Sequence, residues 1–174
     1  MFSGIGGFDY VFQKHGHEIV GYSEIDPYAI QTYEKHFKVK NYGNATTIDP
    51  KTLPDFDILV GGTPCQDFSI AGERKGLFDK DGNKTRSGLF FDFLRIATYK
   101  KPKYILLENV FGMLSHKNLD GSLSFEHMME SICKIGYVID FTILNSKNFG
   151  VPQNRQRVFV LCIKNDCIET AKII

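Results

Sequence analysis

A cysteine, two glutamates and two arginines in this chain sit where short apolar runs begin or end. Asp57-Ile58-Leu59-Val60 reads as a buried strand, Gly61-Gly62 end it, and Thr63-Pro64-Cys65-Gln66-Asp67-Phe68-Ser69 follows at once. A thiol on a loop leaving a strand, its approach stiffened by proline, is a candidate nucleophile. The bland alternative is a half-buried cysteine in a tight turn. Tyr104-Ile105-Leu106-Leu107 is a second apolar strand and ends in Glu108-Asn109-Val110, which sets a carboxylate at another strand end. At the start of the chain Phe2-Ser3-Gly4-Ile5-Gly6-Gly7 runs straight into a helix. Such glycines allow positive φ and close ligand approach, and a helix N-terminus favours an anionic group. Glu24-Ile25-Asp26 closes the strand-like run Glu18–Ser23 about twenty residues further on, where nucleotide-binding α/β domains place an acid for ribose hydroxyls. A thiol, an acid and a nucleotide-type loop are a short list of chemistries.

These groups have to be positioned by strands and helices that alternate. Phe8, Val11 and Phe12 recur at helical spacing before Gly16. Asp26-Pro27 suits a capped helix start, with Ile30, Tyr33 and Phe37 as the buried face. Further amphipathic stretches cover Leu89–Ala97 and Leu123–Ile135, and strands are expected over Tyr137–Leu144 and Val158–Ile163. Alternation of this kind predicts an α/β fold with a doubly wound, mostly parallel sheet, which gathers strand ends along one edge. At 174 residues, 43% hydrophobic and 24% charged, the chain reads as one domain over residues 1–174. A net charge of +1 announces no overall basic field, although local patches can bind phosphate. The four cysteines form no C-x-x-C pair and no histidine cluster joins them, which argues against a metal site and for a reducing, cytoplasmic setting. No apolar run reaches membrane-spanning length. The polar segment Asp67–Ser87 follows the cysteine directly and reads as a lid.

In order along the chain, these motifs resemble those of the DNA (cytosine-5) methyltransferases of restriction-modification systems, which use S-adenosylmethionine. Phe2-Ser3-Gly4-Ile5-Gly6-Gly7-Phe8 is similar to the family's first cofactor motif and Glu24-Ile25-Asp26 to the second. Gly62-Thr63-Pro64-Cys65-Gln66-Asp67-Phe68-Ser69 is similar to the catalytic motif. Gly88-Leu89-Phe90-Phe91, Glu108-Asn109-Val110 and Gln153-Asn154-Arg155-Gln156-Arg157 match three more. The resemblance implies a Rossmann-like methyltransferase fold, S-adenosylmethionine as cofactor, S-adenosylhomocysteine as product and double-stranded DNA as partner. It assigns Cys65, after Pro64, as the nucleophile at C6 of a flipped-out cytosine, with Glu108 holding the base and Arg155 and Arg157 beside it. Around the cofactor it sets Phe2, Gly4, Gly6, Gly7, Glu24, Ile25, Asp26, Asn44, Ala45, Thr63, Pro64 and Leu89; along the DNA it sets Gln66, Ser69, Gln153, Arg155 and Arg157. Asn44 stands where the family usually has aspartate.

Relative to the family, the chain begins inside the first motif and stops after the sixth. It is therefore expected to be truncated at both ends of the fold, lacking the first strand, the target-recognition region and the last motifs. Two readings of different class follow: a methyltransferase, alone or with a second polypeptide that supplies target recognition, and an inert fragment that serves as a binding or assembly partner. A folate-dependent pyrimidine methylase would call for Pro-Cys-His where this chain has Pro-Cys-Gln. A thiol hydrolase would need a histidine partner, and none of His15, His17, His36, His116 or His127 lies in a recognisable motif.

Overall fold

The apolar run before the cysteine forms strand β1, Ile58–Gly62, and Tyr104–Val110 forms β2 parallel to it. The computed structural model describes residues 1–64, 87–118 and 120–170. Within them β3 (Tyr137–Asn145) and β4 (Gln156–Lys164) complete a sheet of order β1-β2-β4-β3. The α/β class is as expected, and the described sheet is mixed: β4 runs antiparallel to both β2 and β3. Connection length explains the difference. The β1–β2 pair is bridged by a long segment that includes helix α3 (Phe90–Lys100), the kind of crossover a parallel pair requires. Residues 146–155 between β3 and β4 hold only a 3₁₀ turn, Ser146–Phe149, so the chain turns back beside itself.

Alternation along the strands sorts the two faces. Ile105, Leu107 and Asn109 of β2 and Val158, Val160 and Cys162 of β4 are buried on one face, beneath α3 and α4 (Ser124–Lys134). Phe90, Phe93 and Ile96 from α3 and Met128 and Ile132 from α4 fill that core with at most 1% exposure each. Leu106, Glu108 and Val110 look to the opposite face. Helix α1 (Gly7–Lys14) meets that face through Phe8, whose ring stands edge-on to Phe159 at 6.4 Å. A smaller cluster lies apart: Tyr33 of α2 (Pro27–His36) stacks on Tyr22 at 3.8 Å and touches Phe37. Arg95 of α3 ties the loop after it to the main body, donating to the carbonyls of Ile48 at 2.7 Å and Ala45 at 2.9 Å.

Two local expectations change. Among the described residues the run Glu18–Ser23 makes no strand ladder: Tyr22 forms a single parallel bridge with Asn41. A cavity of about 390 Å³ is lined by Gly21 and Tyr22 together with Leu59 and Val60 of β1. One end of this cavity is spanned by residues 1–3, where Met1 N donates to Val60 O at 2.6 Å and Ser3 N to Ser23 O at 3.1 Å. Gly61 and Gly62, read as ending β1, belong to it and pair with Leu107 and Glu108.

Phe93 is completely buried, whereas Tyr99 on the same helix is 52% exposed. Phe93→Ala should therefore destabilise the fold by about 3–5 kcal/mol, and Tyr99→Ala by about 0.5 kcal/mol or less, read from urea midpoints at constant slope.

Candidate active site

The glycine loop and the acid after it are built as one unit. Gly6 caps α1 with φ 91°, and a Cβ there would meet the rings of Phe37 and Tyr33 at 2.6 and 2.9 Å. Conformation and packing both demand glycine at this position. A Cβ on Gly4 or Gly7, by contrast, would face open space. Phe2 adopts φ 53°, a left-handed conformation that costs a side-chain-bearing residue about 1–2 kcal/mol. The Glu24 carboxylate then gathers backbone donors: Gly4 N reaches Oε2 at 2.8 Å, and Ile25 N and Asp26 N reach Oε1 at 2.8 and 3.0 Å. Two oxygens offer about four acceptor positions, so capacity for a further hydroxyl remains. Asp26 uses Oδ1 to cap α2, accepting from Tyr28 N and Ala29 N, and Ile25 is 66% exposed beside it.

Asn41 supports this unit and was assigned no role from the sequence. Its Nδ2 donates to Glu24 O at 3.1 Å, and its Oδ1 accepts from Glu24 N at 3.3 Å and Gly43 N at 2.9 Å. Asp9 was likewise missed. It is buried in the first turn of α1 and accepts from the Tyr33 hydroxyl at 2.7 Å. Burial, and then that bond, push the Tyr33 phenol well above its ordinary pKa. Neither contact is local in sequence, and spacing carries no sign of them. Asn44 is exposed, and its amide oxygen accepts from both Thr46 N and Thr46 Oγ1 at 3.0 Å. Both lone pairs are thus engaged, and an adenine amine would have to displace one of them. Ala45 is buried, and Leu89 is half-buried in the 3₁₀ turn Ser87–Leu89 that leads into α3.

The second group lies at the ends of β1 and β2. Their register sets Gly62 opposite Glu108, so Thr63 and Pro64 leave β1 level with Asn109 and Val110. Thr63 and Asn109 are each 3% exposed, and Asn109 Nδ2 donates to Thr63 Oγ1 at 3.0 Å. Val110 N donates to Asn109 Oδ1 at 2.8 Å, which turns the amide toward Thr63. Arg157, at the start of β4, brings Nε to Glu108 Oε1 at 2.6 Å, with both side chains about three-quarters buried. Gln153 and Arg155 precede β4 and are exposed; Arg155 N donates to Asn145 Oδ1 at 3.2 Å. Cys65, Gln66 and the polar segment that includes Ser69 lie outside the described residues. Among the described residues no group of three or more His, Cys, Asp or Glu side chains could hold a metal ion, and no helix is long and apolar enough to cross a membrane.

Residues 1–173 match the family described as C-5 cytosine-specific DNA methylase. The chain belongs to that family. An orphan methyltransferase of Bacillus phage rho11s is 44% identical over 174 residues, covering 97% of this chain and 33% of the phage protein. The type II methyltransferase M.HhaI of Haemophilus parahaemolyticus is 39% identical over 166 residues, covering 95% of this chain and 48% of that protein. The chain thus spans a third to a half of the length of these curated relatives. In fold it is similar to the crystal structure of the S. pombe Dnmt2 methyltransferase, with a TM-score of 0.70 at 24% identity, covering 99% of this chain and 54% of the other. Among the described residues the glycine loop and Glu24 form one group, and the ends of β1 and β2, with Thr63, Glu108 and Asn109, form a second.

The bond between Thr63 and Asn109 can be weighed on its own. Asn109→Ala strands a buried hydroxyl and should cost about 1–3 kcal/mol. The double variant with Thr63→Val should cost clearly less than the sum of the two single changes, measured by urea unfolding.

Proposed function

We propose that residues 1–174 form the S-adenosylmethionine-binding and catalytic part of a DNA (cytosine-5) methyltransferase. The observation that carries this reading is the β1–β2 register, which sets Gly62, two residues before Pro64, opposite Glu108. S-adenosylmethionine supplies a sulfonium methyl group to cytosine C5 and leaves as S-adenosylhomocysteine. The residues have to make C5 nucleophilic enough to take it.

A Cys65 thiolate adds to C6, and the electron pair of the C5–C6 double bond moves into the ring. Glu108 faces the Watson–Crick edge of the base: one oxygen accepts from the exocyclic amine, and a proton shared between the other and N3 neutralises the charge arriving on the ring. The methyl group then bonds to C5, a base takes the C5 proton, and the C5–H electron pair re-forms the double bond as Cys65 leaves C6 as a thiolate. Arg157 already holds Oε1 of Glu108, and its planar fork suits base and phosphate acceptors once a nucleotide enters; Arg155 and Gln153 lie on the approach. Such chemistry requires the cytosine to leave the duplex, and the polar segment after Cys65, with Gln66 and Ser69, is read as closing behind it.

Support for the cofactor comes from the open space over Gly4 and Gly7 and from the three backbone donors that fix the Glu24 carboxylate, which in this reading meets the ribose. Phe2, Gly6, Ile25, Asp26, Ala45, Thr63, Pro64 and Leu89 complete the cofactor surroundings in this reading. Double-stranded DNA is the partner, the cytoplasm the setting, and target recognition comes from sequence outside residues 1–174 or from a second polypeptide.

With its target-recognition region present, the protein should form a covalent complex with DNA carrying 5-fluorocytosine, and Cys65→Ser should abolish it. Trapping that survives the substitution removes Cys65 as nucleophile. Separately, Glu24→Ala should weaken S-adenosylmethionine binding by about ten- to a hundredfold in calorimetry; unchanged affinity would dismiss the ribose role.

A further inference from the structure

β1 ends in two glycines whose backbone does not require glycine. The left-handed φ values of the described chain fall at other positions, so an L-residue could take the conformation of either. Space is the remaining reason, and it differs between the two. A Cβ on Gly61 would lie 2.8 Å from the Phe93 ring, on the core face of the strand. A Cβ on Gly62 would point to the other face and meet Glu108 Oε2 at 3.2 Å. One glycine lets α3 approach the sheet, and the next makes room for a carboxylate.

The pairing explains why this carboxylate is the neighbour. Gly62 stands directly opposite Glu108, and Glu108 directly opposite Phe159, so positions 62, 108 and 159 form one row across the sheet. Phe159 is held against Phe8 of α1. Arg157 grips Oε1 from the β4 side, and Oε2 lies over the bare backbone of Gly62. We infer that Gly62 is a positioning residue for Glu108: the side chain it lacks is the space in which the carboxylate lies. The inference rests on the reading of Glu108 as the acid that holds the base.

An alanine methyl at position 62 presses Oε2 back by a few tenths of an ångström, against an arginine that does not let Oε1 follow freely. Catalytic groups need placement to within about 0.5 Å, and misplacement by about 1 Å costs on the order of a hundredfold. In the protein with its target-recognition region, Gly62→Ala is therefore expected to lower kcat about tenfold while its unfolding midpoint stays near that of the parent. Glu108→Asp retracts the carboxylate by one methylene, so adding Gly62→Ala to that variant should cost about twofold or less. A second readout needs no turnover: the Arg157 Nε–H resonance, which reports the carboxylate contact, should shift in Gly62→Ala. Full activity of Gly62→Ala, the same loss in both backgrounds, or an unmoved Arg157 resonance overturns the inference. Full activity of Glu108→Gln would instead remove Glu108 as the base-holding acid, and the Arg157 resonance would still decide whether Gly62 positions its carboxylate.

Discussion

The parallel register between β1 and β2 is the constraint on which the rest of the site depends. Because side chains alternate along a strand, a slip by one residue would turn Glu108 into the core and Leu107 out of it. The register is held from the core side by Leu59, Ile105 and Leu107 packing beneath α3, and by the close approach of Phe93 to Gly61. It is held at the strand ends by the buried bond from Asn109 to Thr63. Apolar packing thus fixes which face each residue takes, and a single polar pair fixes the level at which the chain leaves the sheet.

The two acids of the site are prepared in different ways. Glu24 collects three backbone N–H donors, two of them from the residues that follow it, so its orientation is set largely by local chain geometry. Glu108 has a charged partner from a strand distant in sequence, Arg157 of β4. A carboxylate fixed by amides suits a constant contact with neutral hydroxyls. A carboxylate held by a guanidinium is stabilised until something else offers both oxygens a donor.

Motif order in the sequence led to the family, and short apolar runs led to β1, β2, β3 and β4, because each run is bounded by residues that stop a strand or begin a turn. Helix α2 was legible from Asp26-Pro27, whose capping geometry is local. What could not be read depends on contacts across the chain. The run Glu18–Ser23 has strand composition, yet strand structure needs a backbone neighbour on at least one side over several residues, and among the described residues Tyr22 bridges only to Asn41. The antiparallel β4 could not be inferred from alternation of elements, since direction is set by the path of the connection. Asn41 and Asp9 each join segments far apart in sequence, and nothing in their own neighbourhood marks them. Gly62 looked like punctuation at the end of a strand and is instead a member of it, with a defined neighbour.

The Tyr22–Tyr33–Phe37 cluster shares no buried member with the main core. Among the described residues there are therefore two apolar clusters of unequal size, linked through the backbone where Tyr42, packed against the larger, donates its N–H to Tyr22 O of the smaller at 2.8 Å. Cooperative units of that kind open with different free energies, the smaller one more readily. The Glu24 loop is attached to the smaller. Any molecule that engages Glu24 adds its binding free energy to the half of the protein with the least packing of its own, so occupancy and local rigidity rise together.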